Sequence, residues 1–154
     1  FNFFHILIMF SGNTFVLLKT LIDNDSFKVI DEHVRLGKPY MGTSAGSNIA
    51  GSTIGTSNDM PIIYPQTFNA FNWVPFNINP HYQDPSNNST HMGETRETRI
   101  QEFHIYNKTP VIGLREGSYI QSNGEEHFLK GDLSARIFKA RKHPFEISDG
   151  ALSI

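Results

Sequence analysis

Tyr40-Met41-Gly42-Thr43-Ser44-Ala45-Gly46-Ser47-Asn48-Ile49-Ala50 decides the fold class of this chain. Pro39 admits a short strand over Tyr40-Met41-Gly42-Thr43, and a short helix follows through Asn48-Ile49-Ala50. Strand, tight turn and helix in that order are the local signature of a parallel α/β sheet. The turn itself reads Gly42-x-Ser44-x-Gly46, which matches the nucleophile-elbow pattern in the context that pattern requires. A serine on so sharp a turn needs small neighbours, and Gly42, Ala45 and Gly46 supply them. The helix that starts at Ser44 aims backbone N–H groups at the site, which favours a developing oxyanion, with the Ala45 N–H as first donor. Ser44 is therefore the candidate nucleophile.

Upstream, residues 4–10 read as a buried strand that enters the polar turn Ser11-Gly12-Asn13-Thr14. Phe15, Leu17, Leu18 and Leu21 have helical spacing, Asn24-Asp25-Ser26 breaks that helix, and a second helix is expected from about Phe27 to Leu36, ended by Gly37. Downstream, residues 51–94 are loop-rich, and such stretches in a compact domain tend to carry function. A helix is expected from Thr95 to about Tyr106, then an apolar strand, Pro110-Val111-Ile112-Gly113-Leu114. The tail suggests short strands near 118–122, 126–129 and 135–139, with turns at Asn123-Gly124 and Lys130-Gly131.

At 154 residues the chain has the size of one domain, 1–154, able to bury a sizeable core. Thirteen phenylalanines supply bulk for that core. Its net charge of −2, with only Lys139-Ala140-Arg141-Lys142-His143 forming a basic run, lacks the footprint of a nucleic-acid binder. Cysteine is absent, which removes disulfides, thiolate nucleophiles and Cys-based zinc sites, and fits a cytoplasmic location. Sequons at Asn87, Asn88 and Asn107 matter only in a secreted protein. The apolar opening Phe1–Phe10 is about half of a membrane span and has no basic lead, so no membrane association is expected. That abrupt start, without an initiator Met, suggests a span that begins inside a larger domain.

A serine nucleophile needs a base, and the base an orienting group. His5 lies in an apolar strand, His33 and His104 lie within expected helices, and His127 and His143 fall in the strand-rich tail; for these a structural role is the simpler reading. His81 and His91 sit in the loop-rich region, and His81 follows Asn79-Pro80 at a strand end, where α/β sheets present catalytic groups. His81 leads, with His91 as rival. Glu116, just beyond the Val111–Leu114 strand, is the candidate orienting carboxylate, and Asp59 in Asn58-Asp59-Met60-Pro61 is the alternative. Glu94 and Glu97 lie where carboxylates serve the helix dipole. Arg96 and Arg99, at the same helix start, read either as a fork for a substrate carboxylate or as a solvated face paired with Glu94, Glu97 and Glu102. Ser-His-Glu in that chain order departs from the Ser-Asp/Glu-His order of ordinary α/β-hydrolases.

Six ordered blocks carry a resemblance. They are Gly12-Asn13-Thr14-Phe15, Gly42–Asn48, Asn58-Asp59-Met60-Pro61, Ile78-Asn79-Pro80-His81-Tyr82, His91-Met92-Gly93-Glu94-Thr95-Arg96-Glu97 and Val111–Gly117. Together they make the chain similar to peptidase E, the α-aspartyl dipeptidases. The resemblance implies a three-layer α/β sandwich with a mostly parallel sheet, flavodoxin-like and of the class I glutamine amidotransferase type, with short antiparallel strands near the C-terminus. It implies a Ser44-His81-Glu116 triad, an oxyanion hole from the Gly12 and Ala45 amides, and a substrate-binding set of Arg96, Asn13 and Thr14. Asp59 becomes a possible accessory group. The expected reaction is release of N-terminal aspartate from small peptides, chiefly dipeptides, through an acyl-enzyme that needs no metal or cofactor. A monomer and a homodimer are both compatible with it. Two departures stand out: the family's block of strands and helices before the Gly12 region has no counterpart, and Phe10-Ser11 replaces glycine. A truncated, catalytically impaired homologue and a cyanophycinase-like peptidase acting on aspartyl polymers are the alternatives.

Overall fold

The apolar run Val111-Ile112-Gly113-Leu114 is buried at every position, as expected of a strand covered on both faces. A computed structural model describes residues 6–10, 12–85 and 93–154 and centres its main sheet on this run. The elements are β1 (Leu7–Met9), α1 (Thr14–Asp23), α2 (Ser26–Arg35), β2 (Tyr40–Gly42), α3 (Ala45–Ala50), β3 (Asn77–Pro80), α4 (Arg96–Tyr106), β4 (Val111–Leu114), β5 (Ser118–Ser122), β6 (His127–Gly131), β7 (Ala135–Phe138), β8 (Phe145–Ile147) and β9 (Gly150–Ala151).

The three sheets are β1-β2, β3-β4-β7-β8 and β5-β6-β9. β1·β2 and β3·β4 are parallel, whereas β4·β7, β7·β8, β5·β6 and β6·β9 are antiparallel. The described pairings make an α/β fold with mixed sheets, where a mostly parallel sheet was expected. Each antiparallel pair contains a strand from the C-terminal third, where the chain returns through short connections instead of helical crossovers.

Side-chain alternation along β4 and β7 divides the core. Ile112, Leu114 and Ile137 face a cluster with Phe76, Ile78, Leu129 and Leu152, which joins the four-stranded sheet to the three-stranded one. Val111 and Phe138 point the other way, onto Ile100 of α4 and Tyr82. A second core holds Met9, Phe15, Leu18, Leu21 and Ile49, where α1 and α3 cover one face of β1-β2. The opposite face is open, with Ile8 44% and Met41 55% exposed. The expected buried strand over 4–10 is thus the shorter β1, buried on alternate residues only; residues 1–5 lie outside those described.

The helix limits follow local chemistry. Asn13 caps α1 by accepting from the Phe15 and Val16 amides, and Thr95 caps α4 by accepting from Thr98 N. Gly37, with φ +82°, ends the α2 segment as a left-handed residue suited to glycine. In the tail, Lys130-Gly131 ends β6 instead of forming a turn, and β8 and β9 add two pairings the sequence did not announce. No helix of the described residues is long and apolar enough to cross a membrane.

Because Ile112 is wholly buried at the centre of the larger cluster, Ile112→Ala should lower the unfolding free energy by about 2–5 kcal/mol, read from urea denaturation. A loss below about 1 kcal/mol would show that this strand is not the centre of the core.

Candidate active site

The Ser44 turn is built from close backbone contacts. Ser44 has φ 52° and ψ −113°, a strained conformation for a residue with a side chain. Its surroundings hold it there: Thr43 N donates to Met9 O (3.0 Å), Gly46 N to Thr43 O (2.9 Å) and Asn48 N to Ser44 O (3.1 Å). Ser47 Oγ donates to Gly42 O (3.0 Å) and Tyr40 Oη to Gly46 O (2.8 Å). Burial pushes the Tyr40 hydroxyl up from its ordinary range, so it remains a donor. Both glycines of the pattern are required by space. A Cβ on Gly42 would lie 2.6 Å from the Gly46 carbonyl, and one on Gly46 would lie 2.5 Å from Met9 O. Ala45, fully buried, heads α3 with its N–H at the helix end where intrahelical partners are lacking.

The candidate base His81 and the candidate orienting acid Glu116 come from neighbouring strand ends. β3 and β4 run parallel with Pro80 opposite Leu114, so His81 and Arg115 leave the sheet side by side. Tyr82 N donates to Leu114 O (3.0 Å), which turns the chain at His81, itself at φ 54°. His81 Nδ1 is hydrogen-bonded to Glu116 Oε1. That bond leaves Nε2 for a substrate or a nucleophile. Ser44, His81 and Glu116 all line one cavity of about 810 Å³. Among the described residues Ser44 Oγ and His81 are not hydrogen-bonded to each other; such contacts commonly tighten only when substrate is bound.

Asp59, the alternative orienting acid, is engaged elsewhere. Its Oδ2 accepts from Thr14 N (2.7 Å), Thr14 Oγ1 (2.5 Å) and Ser57 Oγ (3.3 Å), and it fastens the 57–60 loop to the start of α1. Thr14 is fully buried, and its hydroxyl also accepts from Asn48 Nδ2 (3.0 Å). Asn13 spends its side chain on the α1 cap and on Met60 O (2.8 Å). Gly12, Asn13, Thr14 and Arg96 are not among the residues lining the cavity. Arg96 is half-buried and donates to Pro80 O (3.3 Å), the carbonyl just before His81. Burial, with Arg99 nearby, pulls its guanidinium below the usual value, and no carboxylate pairs with it among the described residues. Arg99 instead lies 3.8 Å from Glu94 on the exposed face, the solvated pairing.

Two of the remaining histidines are engaged in structural hydrogen bonds. His104 Nε2 bonds to Thr109 O (3.0 Å), and the buried His127 bonds to Ser122 Oγ (2.9 Å), with burial lowering its pKa. His33 is on α2 and His143 is exposed. His91, the rival base, lies outside the described residues, as do His5 and the sequons at Asn87 and Asn88. Two features escaped the sequence. The β5–β6 hairpin, through Tyr119, Gln121 and Asn123, forms a wall of the cavity. Arg115 binds Asp84 and Glu146 beside Glu116. The hairpin turn was legible, but the surface it docks against was not.

Gly46→Ala should cost about 1–3 kcal/mol of stability, measured by thermal melting, because β1 and α3 must part to admit the methyl group. An unchanged melting temperature would contradict the tight approach to Met9.

Comparison with known proteins assigns the lineage. The family model described as Peptidase family S51 matches residues 4–130. A Drosophila melanogaster protein named "Probable alpha-aspartyl dipeptidase" is 52% identical over 130 residues, covering 84% of this chain and 54% of its own length. The Streptomyces coelicolor protein named Peptidase E is 46% identical over 140 residues, covering 91% of this chain and 58% of its own. The chain thus spans a little over half the length of these relatives. A crystal structure from Listeria monocytogenes that carries a peptidase E designation matches the fold with TM-score 0.53 at 24% identity, over 87% of this chain and 59% of that one. This chain belongs to peptidase family S51.

Proposed function

We propose that the chain carries the catalytic centre of a serine dipeptidase that releases N-terminal aspartate from small peptides. The observation that carries this reading is the His81–Glu116 hydrogen bond on the wall of the cavity that also holds the strained Ser44 turn. Family membership and the α-aspartyl dipeptidase name of the Drosophila melanogaster relative support the same reaction class. The fold that accompanies this reading is the three-layer, flavodoxin-like sandwich of class I glutamine amidotransferases over residues 1–154, in a cytoplasmic protein.

The chemistry runs as follows. Ser44 Oγ attacks the peptide carbonyl carbon while His81 Nε2 takes its proton, and Glu116 steadies the imidazolium through Nδ1. The oxyanion is met by the Ala45 and Gly12 amides. Collapse of the tetrahedral species breaks the C–N bond, and Nε2 returns the proton to the leaving amine. Water, deprotonated by His81, then attacks the acyl-Ser44 ester and frees aspartate.

Arg96 receives the substrate's side-chain carboxylate. Its guanidinium is partly desolvated and makes one hydrogen bond among the described residues, which supports a role in binding a ligand. Asn13 and Thr14 act on the substrate indirectly, by fixing the start of α1 against Met60 and Asp59. A longer aspartyl chain is the second reading of the substrate. Comparing hydrolysis of Asp-Leu with that of an aspartyl polymer separates the two.

Ser44→Ala should abolish Asp-Leu hydrolysis while leaving the far-ultraviolet circular dichroism intact; retained turnover would sink the triad. Arg96→Met should raise KM for Asp-Leu by about 10- to 100-fold, as expected when a charged hydrogen bond is lost. An unchanged KM would remove Arg96 from the aspartate site.

A further inference from the structure

A chain of five charged side chains runs behind the site. Glu97 on α4 pairs with Arg136 on β7 (3.0 Å), Arg136 with Glu146 on β8 (3.2 Å), Glu146 with Arg115 (2.8 Å), and Arg115 with Asp84 (2.7 Å). Arg115 is its centre. Nε and Nη2 bind the two oxygens of Asp84, Nη1 and Nη2 bind those of Glu146, and Nη1 also donates to Ser134 O (2.7 Å). All five guanidinium N–H donors are thereby engaged, so Arg115, unlike Arg96, has none to offer a substrate. Its side chain is only 16% exposed, which makes the paired geometry firmer than that of a surface bridge. The Arg115 hydrogen bonds, first among several causes, hold the Glu146 carboxyl down to about 2, so the grip lasts through any pH at which an imidazole acts as base.

Arg115 itself stands beside one member of the catalytic pair, and the Asp84 carboxylate it grips lies on the chain just after the other. Asp84 lies three residues after His81, and Glu116 directly follows Arg115. Between them Tyr82 is wedged: the Arg115 guanidinium lies 5.6 Å from its ring centroid, and a Cβ on Gly113 would come within 2.7 Å of that ring. The Glu116 side chain is 78% exposed, and its bond to His81 is its one hydrogen bond among the described residues. An exposed carboxylate with a single contact does not fix its own position; the strand ends beneath it must.

We propose that Arg115 is a positioning residue for the His81–Glu116 pair, clamping the end of β4 to the chain after β3 through Asp84 and anchoring it on β8 through Glu146. The clamp holds His81 in its left-handed turn and keeps Glu116 within reach of Nδ1. This rests on the serine-peptidase reading of the site.

Arg115→Lys keeps the charge and loses the fork. The rate at which a fluorophosphonate probe labels Ser44 reports the organisation of the triad without reference to any peptide. Arg115→Lys should slow labelling, and lower kcat on Asp-Leu, by about 10- to 100-fold with KM within about twofold, and should weaken the downfield Nδ1 proton resonance of His81. Asp84→Asn, at a half-exposed position, is the milder companion for use if Arg115→Lys fails to fold, and should move both readouts in the same direction. Lys19→Ala, which breaks a surface pair on α1, should leave them unchanged. Normal labelling and a normal His81 resonance in a folded Arg115→Lys or Asp84→Asn variant, even with a lowered melting temperature, would overturn the proposal. If the parent chain labels at Ser44 yet leaves Asp-Leu intact, the dipeptidase reading falls and the clamp is judged on labelling and resonance alone.

Discussion

The parallel pairing of β3 with β4 is the constraint on which the rest of this site depends. Its register sets Pro80 against Leu114, so the next residues on each strand emerge at the same level. A slip of one residue would turn Ile112 and Leu114 out of the core and carry Glu116 away from His81. Burial of Val111, Ile112 and Leu114 therefore does two things: it stabilises the sheet and sets the spacing of His81 and Glu116.

Ser44, the candidate nucleophile, is positioned by a different kind of force. Ser44 is held through the backbone around it: Gly42 is pressed on Gly46 and Gly46 on Met9, and the Ser47 and Tyr40 hydroxyls fasten the Gly42 and Gly46 carbonyls. A conformation as strained as φ 52° persists only where the surroundings over-determine it, and five hydrogen bonds among β1, β2 and α3 do so. His81, the candidate base, is held the same way, since it also has positive φ and is tied through Tyr82 to Leu114. Ser44 and His81 thus both stand at strand ends.

Between these strands a polar loop does the joining. Asn77 accepts from Thr53 N (3.1 Å), Asn79 donates to Thr56 O (2.8 Å), and Asn58 donates to Pro80 O (3.1 Å). Asp59 continues the line to Thr14. Asn77 and Asn79 are almost fully buried, and their amides replace the water that the loop backbone loses. Residues 53–59, in the stretch read as loop-rich, are ordered by β3 and link it to the start of α1.

The sequence by itself determined the features that depend on near neighbours. Small residues around Ser44 announced the turn, Asn13 and Thr95 announced the helix starts, and the apolar run at 111–114 announced a strand with a carboxylate just past its end. His81 and Glu116 were legible as strand-end residues for that reason. Only the tertiary structure decided which carboxylate meets the imidazole. Glu116 does, while Asp59 is drawn to Thr14, 45 residues away in sequence. It also bound Asn13 to Met60 and Thr14 to Asp59, joined Arg115 to partners 31 residues distant on either side, and laid the β5–β6 hairpin along the cavity. Propensity and spacing act over a turn or two of chain. A buried polar group takes whichever partner the packing of distant strands brings within about 3 Å, and no local pattern records that choice.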